Sequence, residues 1–130
     1  MKITKNNLLK IILYCVSMFY LIGAIAHYFG LTIFPWFDGN LYSPYHDSII
    51  AMASLALFVI IFIIAQNPKK YNKLIYGISL VALFIGLLTV YMTYSINWSQ
   101  YSAVYKQEQS LIEGILLILL SGLLFILNKR

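Results

Sequence analysis

Four long apolar runs dominate this sequence and leave few folds open to it. The first extends from Ile11 to Gly30 and the second from Ser48 to Gln66, neither holding an Asp, Glu, Lys or Arg. The third covers about Leu74 to Ile96 and the fourth about Ser110 to Leu127, the last interrupted only by Glu113. An α-helix needs roughly 20 apolar residues to cross the hydrocarbon of a bilayer, and each run approaches or exceeds that length. A helix that is apolar on all sides is buried in a large soluble core or in lipid. A chain of 130 residues has no room for such a core. Membrane β-barrels are disfavoured, because their strands appear as alternating segments of about 10 residues.

Composition agrees. Charged residues make up 10% of the chain and hydrophobic ones 62%, against about a quarter and about half in soluble domains. The expected fold class is all-α, a four-helix transmembrane bundle running up-down-up-down, with residues 1–130 forming a single integral membrane domain. Asn67-Pro68 closes the second run, since proline lacks an amide proton and disfavours helical geometry in the preceding residue. Asp47, just before Ser48, is positioned as a helix N-cap, and Asp38-Gly39-Asn40 as a turn. The short connection from Asn67 to Lys73 makes its two helices antiparallel neighbours.

Lysine and arginine close to a span resist translocation, so their placement sets orientation. Lys2, Lys5, Lys10, Lys69, Lys70, Lys73, Lys129 and Arg130 fall on one side of the expected topology and only Lys106 on the other. The first group marks the cytoplasm, which puts both termini there and makes the chain a multi-pass protein of the cell membrane. Asp38, Asp47, Glu108 and Glu113 lie on or near the opposite face. The net charge of +5 therefore reports topology. No nucleic-acid partner is expected, because the cations sit at helix ends without an interleaved aromatic stripe or a binding motif. The partner expected for every span is the lipid bilayer. One processing alternative exists: Ala24-Ile25-Ala26 has the small-x-small form of a signal-peptidase site, and cleavage there would leave three spans beginning at His27. The apolar run continues past it to spanning length, which favours retention.

Helices in lipid associate through close packing of small residues and through interhelical hydrogen bonds. Ser79, Ala82, Gly86, Thr89 and Thr93 share one face of the third span, and Ser17, Tyr20, Ala24 and His27 one face of the first. The fourth offers Ser110 and Gly114, then Ser121 and Gly122. These seams are expected to face inward. A seam left exposed would instead pair two copies of the chain, or pair it with another membrane protein.

The segment LTIFPWFDGNLYSPYHD, from Leu31 to Asp47, is too polar and too broken by Pro35, Gly39 and Pro44 to be a span. Its Phe34, Trp36, Phe37, Tyr42 and Tyr45 suit headgroup depth, and Tyr91, Tyr94, Trp98, Tyr101 and Tyr105 repeat the theme in the second outer connection. Together they form an expected lid over the outer end of the bundle. His27, Trp36, Tyr45, His46, Tyr94, Trp98 and Glu113 are the candidate ligand-binding residues. If His27, His46, Asp47 and Glu113 converge there, they have the donor types to hold a divalent metal. No local HxxxH, HExxH or ExxH spacing supports that centre, and each residue also has a structural explanation: an interfacial hydrogen bond, a solvated ring, a helix cap, a protonated or bonded carboxyl. Glu113 is the most demanding of the four, because an ionised carboxylate inside a span costs on the order of a few kcal/mol.

Phe19-Tyr20-Leu21-Ile22-Gly23, the aromatic outer loop and the exit Ala65-Gln66-Asn67-Pro68 resemble the BphX-like group of small four-helix bacterial membrane proteins. DoxX-like proteins share the general plan. The resemblance implies a fold and a membrane address; it carries over no catalytic residue and no cofactor. Other four-span chemistries fit poorly. Small multidrug transporters use a glutamate in their first helix, where this chain has none. Quinone-coupled thiol oxidoreductases need several cysteines, and Cys15 stands alone here. A membrane glutathione transferase needs cations for its anionic cofactor, and no arginine precedes Arg130.

Three functional expectations follow. The favoured one is a binding or accessory protein whose working surface lies on the extracytoplasmic face. The second is an enzyme or metal- or cofactor-dependent oxidoreductase using the outer histidines and carboxylates. The third is a small transporter with Glu113 on its path, although no charge lies near the inner half of any span.

Overall fold

The computed structural model of the chain describes residues 4–33, 39–97, 100 and 107–129. Four helices carry the fold: α1 (Lys5–Phe29), α2 (Pro44–Gln66), α3 (Asn72–Ser95) and α4 (Gln107–Asn128), with a 3-10 turn at Gly39–Leu41 before α2. All four are long and apolar enough to cross a membrane. The helices overrun the apolar stretches that announce them. α1 starts at Lys5 instead of Ile11, capped by the Thr4 side chain, which accepts from the Asn7 amide at 3.3 Å. α2 starts at Pro44 instead of Ser48. Apolarity marks only the part of a helix that lies in hydrocarbon, whereas backbone hydrogen bonding continues into the headgroup layer. The exit of α2 matches expectation: Asn67 is its C-cap, Pro68 is buried, and the Asn67 carbonyl and side chain both accept from Lys70.

The interior combines small and hydroxyl side chains with a cluster of leucine and isoleucine. Ser17, Ser79, Thr93, Ser110 and Ser121 are buried together with Ala24, Ala82, Gly86 and Gly114. Many large apolar side chains point outward, with Met52 73%, Phe84 68% and Leu119 63% exposed. In water such a surface would be a large exposed apolar area. In lipid it is the solvated face, and the small residues let backbones approach. Of the expected seam residues, Thr89, Tyr20 and His27 are half-buried, and Gly122 is exposed with open space where a Cβ would stand. Helical spacing locates a stripe only to within a neighbouring position, and Ser121 occupies the inward place beside Gly122.

α1 packs along α2, α3 packs along α4, and α1 also touches α4. α2 and α3, expected to be neighbours from their short connection, pack against each other far less, so the connection joins two helix pairs and does not make a third. In the first pair Tyr14 stacks edge-on with Phe62 at 5.4 Å, while His27 at the far end of α1 meets Asp47 at the start of α2. The second pair follows a repeat. Asn72, Ser79, Gly86 and Thr93 recur every seven residues in α3, and Gly114, Ser121 and Asn128 every seven in α4. The Asn128 side-chain amide donates to the Asn72 carbonyl at 2.8 Å; Ser79 Oγ donates to the Ser121 carbonyl at 2.8 Å. Gly86 and Gly114 bring the two backbones together next, and the hydroxyls of Thr93 and Ser110 lie 2.8 Å apart beyond them. Seven residues is the spacing that keeps one face turned toward a partner in a left-handed helix pair. Leu9, Leu13, Ile61, Ile64, Ala65, Ile75 and Leu124, drawn from all four helices, form a shared core.

Candidate functional site at the His27 end

α1 finishes at Phe29, and Gly30 follows at φ 62°, a left-handed position where a side chain would be strained. The Gly30 and Leu31 amides both donate to the Ala26 carbonyl, which turns the chain sharply. Tyr42 then folds back against this corner: its ring lies 2.8 Å from where a Gly30 Cβ would stand, and its hydroxyl donates to the Tyr28 carbonyl at 3.3 Å. The Gly39 amide donates to Thr32 Oγ1 at 2.9 Å. These contacts bring the first turn of α2 beside the last turn of α1.

There the buried Asp47 carboxylate bridges two elements. Its Oδ1 lies 2.6 Å from His27 Nδ1, and its Oδ2 accepts from the Ser43 amide at 2.6 Å. Asp47 was expected to be the N-cap of α2. The cap is Ser43, with Pro44 at the first helical position, and Asp47 lies one turn inside. A carboxylate so placed serves the exposed amides of a helix start and their positive end of the dipole. An ionised carboxylate only accepts, so His27 Nδ1 carries the proton in this contact. The imidazole is thereby fixed in tautomer and orientation. His27 lines a cavity of about 340 Å³ together with Phe19, Tyr20, Ile22, Gly23, Ala26, Ile33 and Ser54. That volume falls in the range of small-molecule pockets, about 300–1,000 Å³.

The other expected site residues divide. His46 is exposed; its Nδ1 lies 3.0 Å from Ser43 Oγ, and its ring meets Tyr45 edge-on at 5.4 Å. Tyr45 is itself exposed. Tyr94, at the end of α3, lines a separate cavity of about 210 Å³ with Thr93, Gln107, Glu108 and Leu111. Glu113 lies in a third space, a groove of about 500 Å³ between α1 and α4 lined also by Cys15, Val16, Phe19, Tyr20, Leu116, Leu117 and Leu120. Trp36 and Trp98 lie outside the described residues, as does Asp38 of the expected turn.

The four proposed metal donors therefore do not converge. His27 and Asp47 meet, His46 turns to Ser43, and Glu113 sits at the level of Cys15 to Tyr20. Seven residues of helix separate Tyr20 from His27, about 10 Å at a rise of about 1.5 Å per residue. Among the described residues no group of three or more His, Cys, Asp or Glu side chains is arranged to hold a metal ion.

Sequence reasoning missed Ser43, Ser54 and the role of Tyr20 in the cavity wall. Ser43-Pro44 carried a signal, since proline favours the first helical position and serine the cap before it. Ser54 carried none, being one small residue in an apolar run. In comparisons with protein-family models, with curated proteins and with solved structures, the chain matches none.

Proposed function

We propose that this is a small multi-pass protein of the cell membrane that binds a compact, largely apolar molecule at its extracytoplasmic face. The carrying observation is the pairing of buried Asp47 with His27 on the wall of the α1–α2 cavity. Phe19, Ile22, Ala26 and Ile33 offer an apolar body its burial, and His27, Tyr20 and Ser54 offer its polar end hydrogen bonds. A carboxylate-oriented imidazole is worth its buried polar cost where a defined direction of bonding is needed. The orientation in this reading is up-down-up-down with both termini and the Lys69, Lys70 and Lys73 segment in the cytoplasm, supported by the lysine asymmetry. This plan is that of the BphX-like and DoxX-like proteins, with which we group the chain on its Phe19-Tyr20-Leu21-Ile22-Gly23 and Ala65-Gln66-Asn67-Pro68 segments.

The test is mass spectrometry of small molecules extracted from detergent-purified protein. Wild type should retain a species that Ser54→Phe, which fills the cavity, and His27→Ala both lose, while the outward Leu80→Ala retains it. Equal retention in all four proteins would remove the cavity from the function. Stoichiometric metal in the purified protein, lost in His46→Ala, would replace this reading with the metal-dependent enzyme. Proton- or ion-coupled flux in vesicles that Glu113→Gln abolishes would replace it with the transporter.

A further inference from the structure

At the opposite end of the bundle the chain builds a second polar concavity. A space of about 300 Å³ is lined by Lys5, Asn6, Leu9, Pro68, Lys69, Asn72, Leu127, Asn128 and Lys129. Its cations come from three separate places in the chain: the first turn of α1, the α2–α3 connection and the end of α4. Topology alone asks only that lysines lie on this side. It does not ask that three of them share one hollow while Lys10, Lys70 and Lys73 stay out of it.

Three further features point to the ligand. Lys5 and Asn6 are the first two residues of α1 and Asn72 is the first of α3, so two helix starts border the space. Amides in a first turn have no acceptor within their own helix and carry the positive end of the dipole. Among the described residues the lining carries no acid. Beside the lysines and asparagines it has an apolar wall, with Leu9 and Pro68 buried and Leu127 half-buried. Asn128, buried and tied to the Asn72 carbonyl at 2.8 Å, holds the α3 and α4 sides of the rim together.

We infer that this pocket binds the phosphate of an anionic lipid, the headgroup between Lys5, Lys69 and Lys129 and the first part of an acyl chain against Leu9 and Leu127. A free phosphate offers the same charge but has no use for the apolar wall. Basic hollows between spans on the cytoplasmic side are suited to such headgroups, because that leaflet is rich in anionic lipid.

The full chain in neutral detergent is titrated with phosphatidylglycerol, with phosphatidylcholine and with inorganic phosphate, and lipid adducts are counted by native mass spectrometry. The pocket variant Lys5→Gln/Lys69→Gln/Lys129→Gln is compared with Lys10→Gln/Lys70→Gln/Lys73→Gln, which removes the same charge outside the pocket. The expected result is a preference for phosphatidylglycerol that falls at least about tenfold in the first variant and less than about twofold in the second. Lys69→Gln alone, the mildest change, should fall in the same direction. Equal losses in both triple variants would make the effect general surface attraction and overturn the site. Full competition by inorganic phosphate at equal concentration would overturn the lipid in favour of the free anion. Loss of the small molecule at His27 bears on the other end of the bundle and leaves this result untouched.

Discussion

Gly86 and Gly114 face each other across the α3–α4 seam so closely that a methyl on either would stand 2.9 or 3.0 Å from the other's carbonyl oxygen. The Ile118 and Val90 side chains crowd the same points, and the backbone of the partner helix beside them cannot swing away.

The first prediction follows directly. Gly86→Ala must push the helices apart and should cost about 1–3 kcal/mol, the usual range for overpacking. Gly77 and Gly122 have open space at the same point. Gly77→Ala and Gly122→Ala should be neutral or stabilising by up to about 1 kcal/mol, since glycine weakens a helix interior by that order. Unfolding of the detergent-solubilised protein measures all three. Equal effects would mean that the seam is not close-packed.

Ser79 and Ser121 contact each other through Oγ atoms 3.2 Å apart, and Ser79 also donates to the Ser121 carbonyl. Interhelical hydrogen bonds in membranes average about 0.6 kcal/mol, so Ser79→Ala should cost about that much. Ser79→Leu should cost several times more, because the site is fully enclosed. A large loss on mere removal of the hydroxyl would contradict a seam held chiefly by close packing.

His27 and Asp47 should be coupled. In a double-mutant cycle the single changes His27→Ala and Asp47→Ala should sum to more than the double change, with a coupling of about 0.5–3 kcal/mol. Asp47→Ala should be the more damaging single change, by about 1 kcal/mol, because it also abandons the Ser43 amide. Strict additivity would deny the pair any energetic meaning.

Glu113 belongs to a different space from His27. Glu113→Gln should therefore leave ligand retention at the His27 cavity within about twofold of wild type, about 0.4 kcal/mol at the ordinary conversion. Loss comparable to that of His27→Ala would join the two spaces into one site.

Orientation has its own readout. In a Cys15→Ser background, Asn40→Cys should react with an impermeant maleimide from outside intact cells, and Lys70→Cys only after permeabilisation. The reverse pattern would invert the proposed topology. In both variants the protein should resist carbonate extraction and leave the membrane only with detergent.

Much of this was legible in the residues one at a time. The runs from Ile11, Ser48, Leu74 and Ser110 announced four helices, because hydrophobicity is a local, additive property that needs no partner to be evaluated. Pro68 marked its boundary for a similar reason: the missing amide acts on its own helix. A hydrophobicity criterion starts α2 too late because Tyr45, His46 and Asp47 look like loop residues to it, while the backbone follows the Ser43-Pro44 cap.

Partnership was a different matter. The seven-residue recurrence of Asn, Ser and Gly stood in the sequence of α3 and α4, but nothing in either helix stated that Ser79 opposes Ser121 and Gly86 opposes Gly114. Helices apolar on every side have no strong facing direction, so their rotation and register are set by fit against one another. That fit alone placed His27 on Asp47 and left Glu113 in a groove about two helical turns away, whereas the His46–Ser43 contact is local to the start of α2. The single chain thus determined its four helices long and apolar enough to cross a membrane, and the mutual packing of those helices decided which polar residues share a cavity.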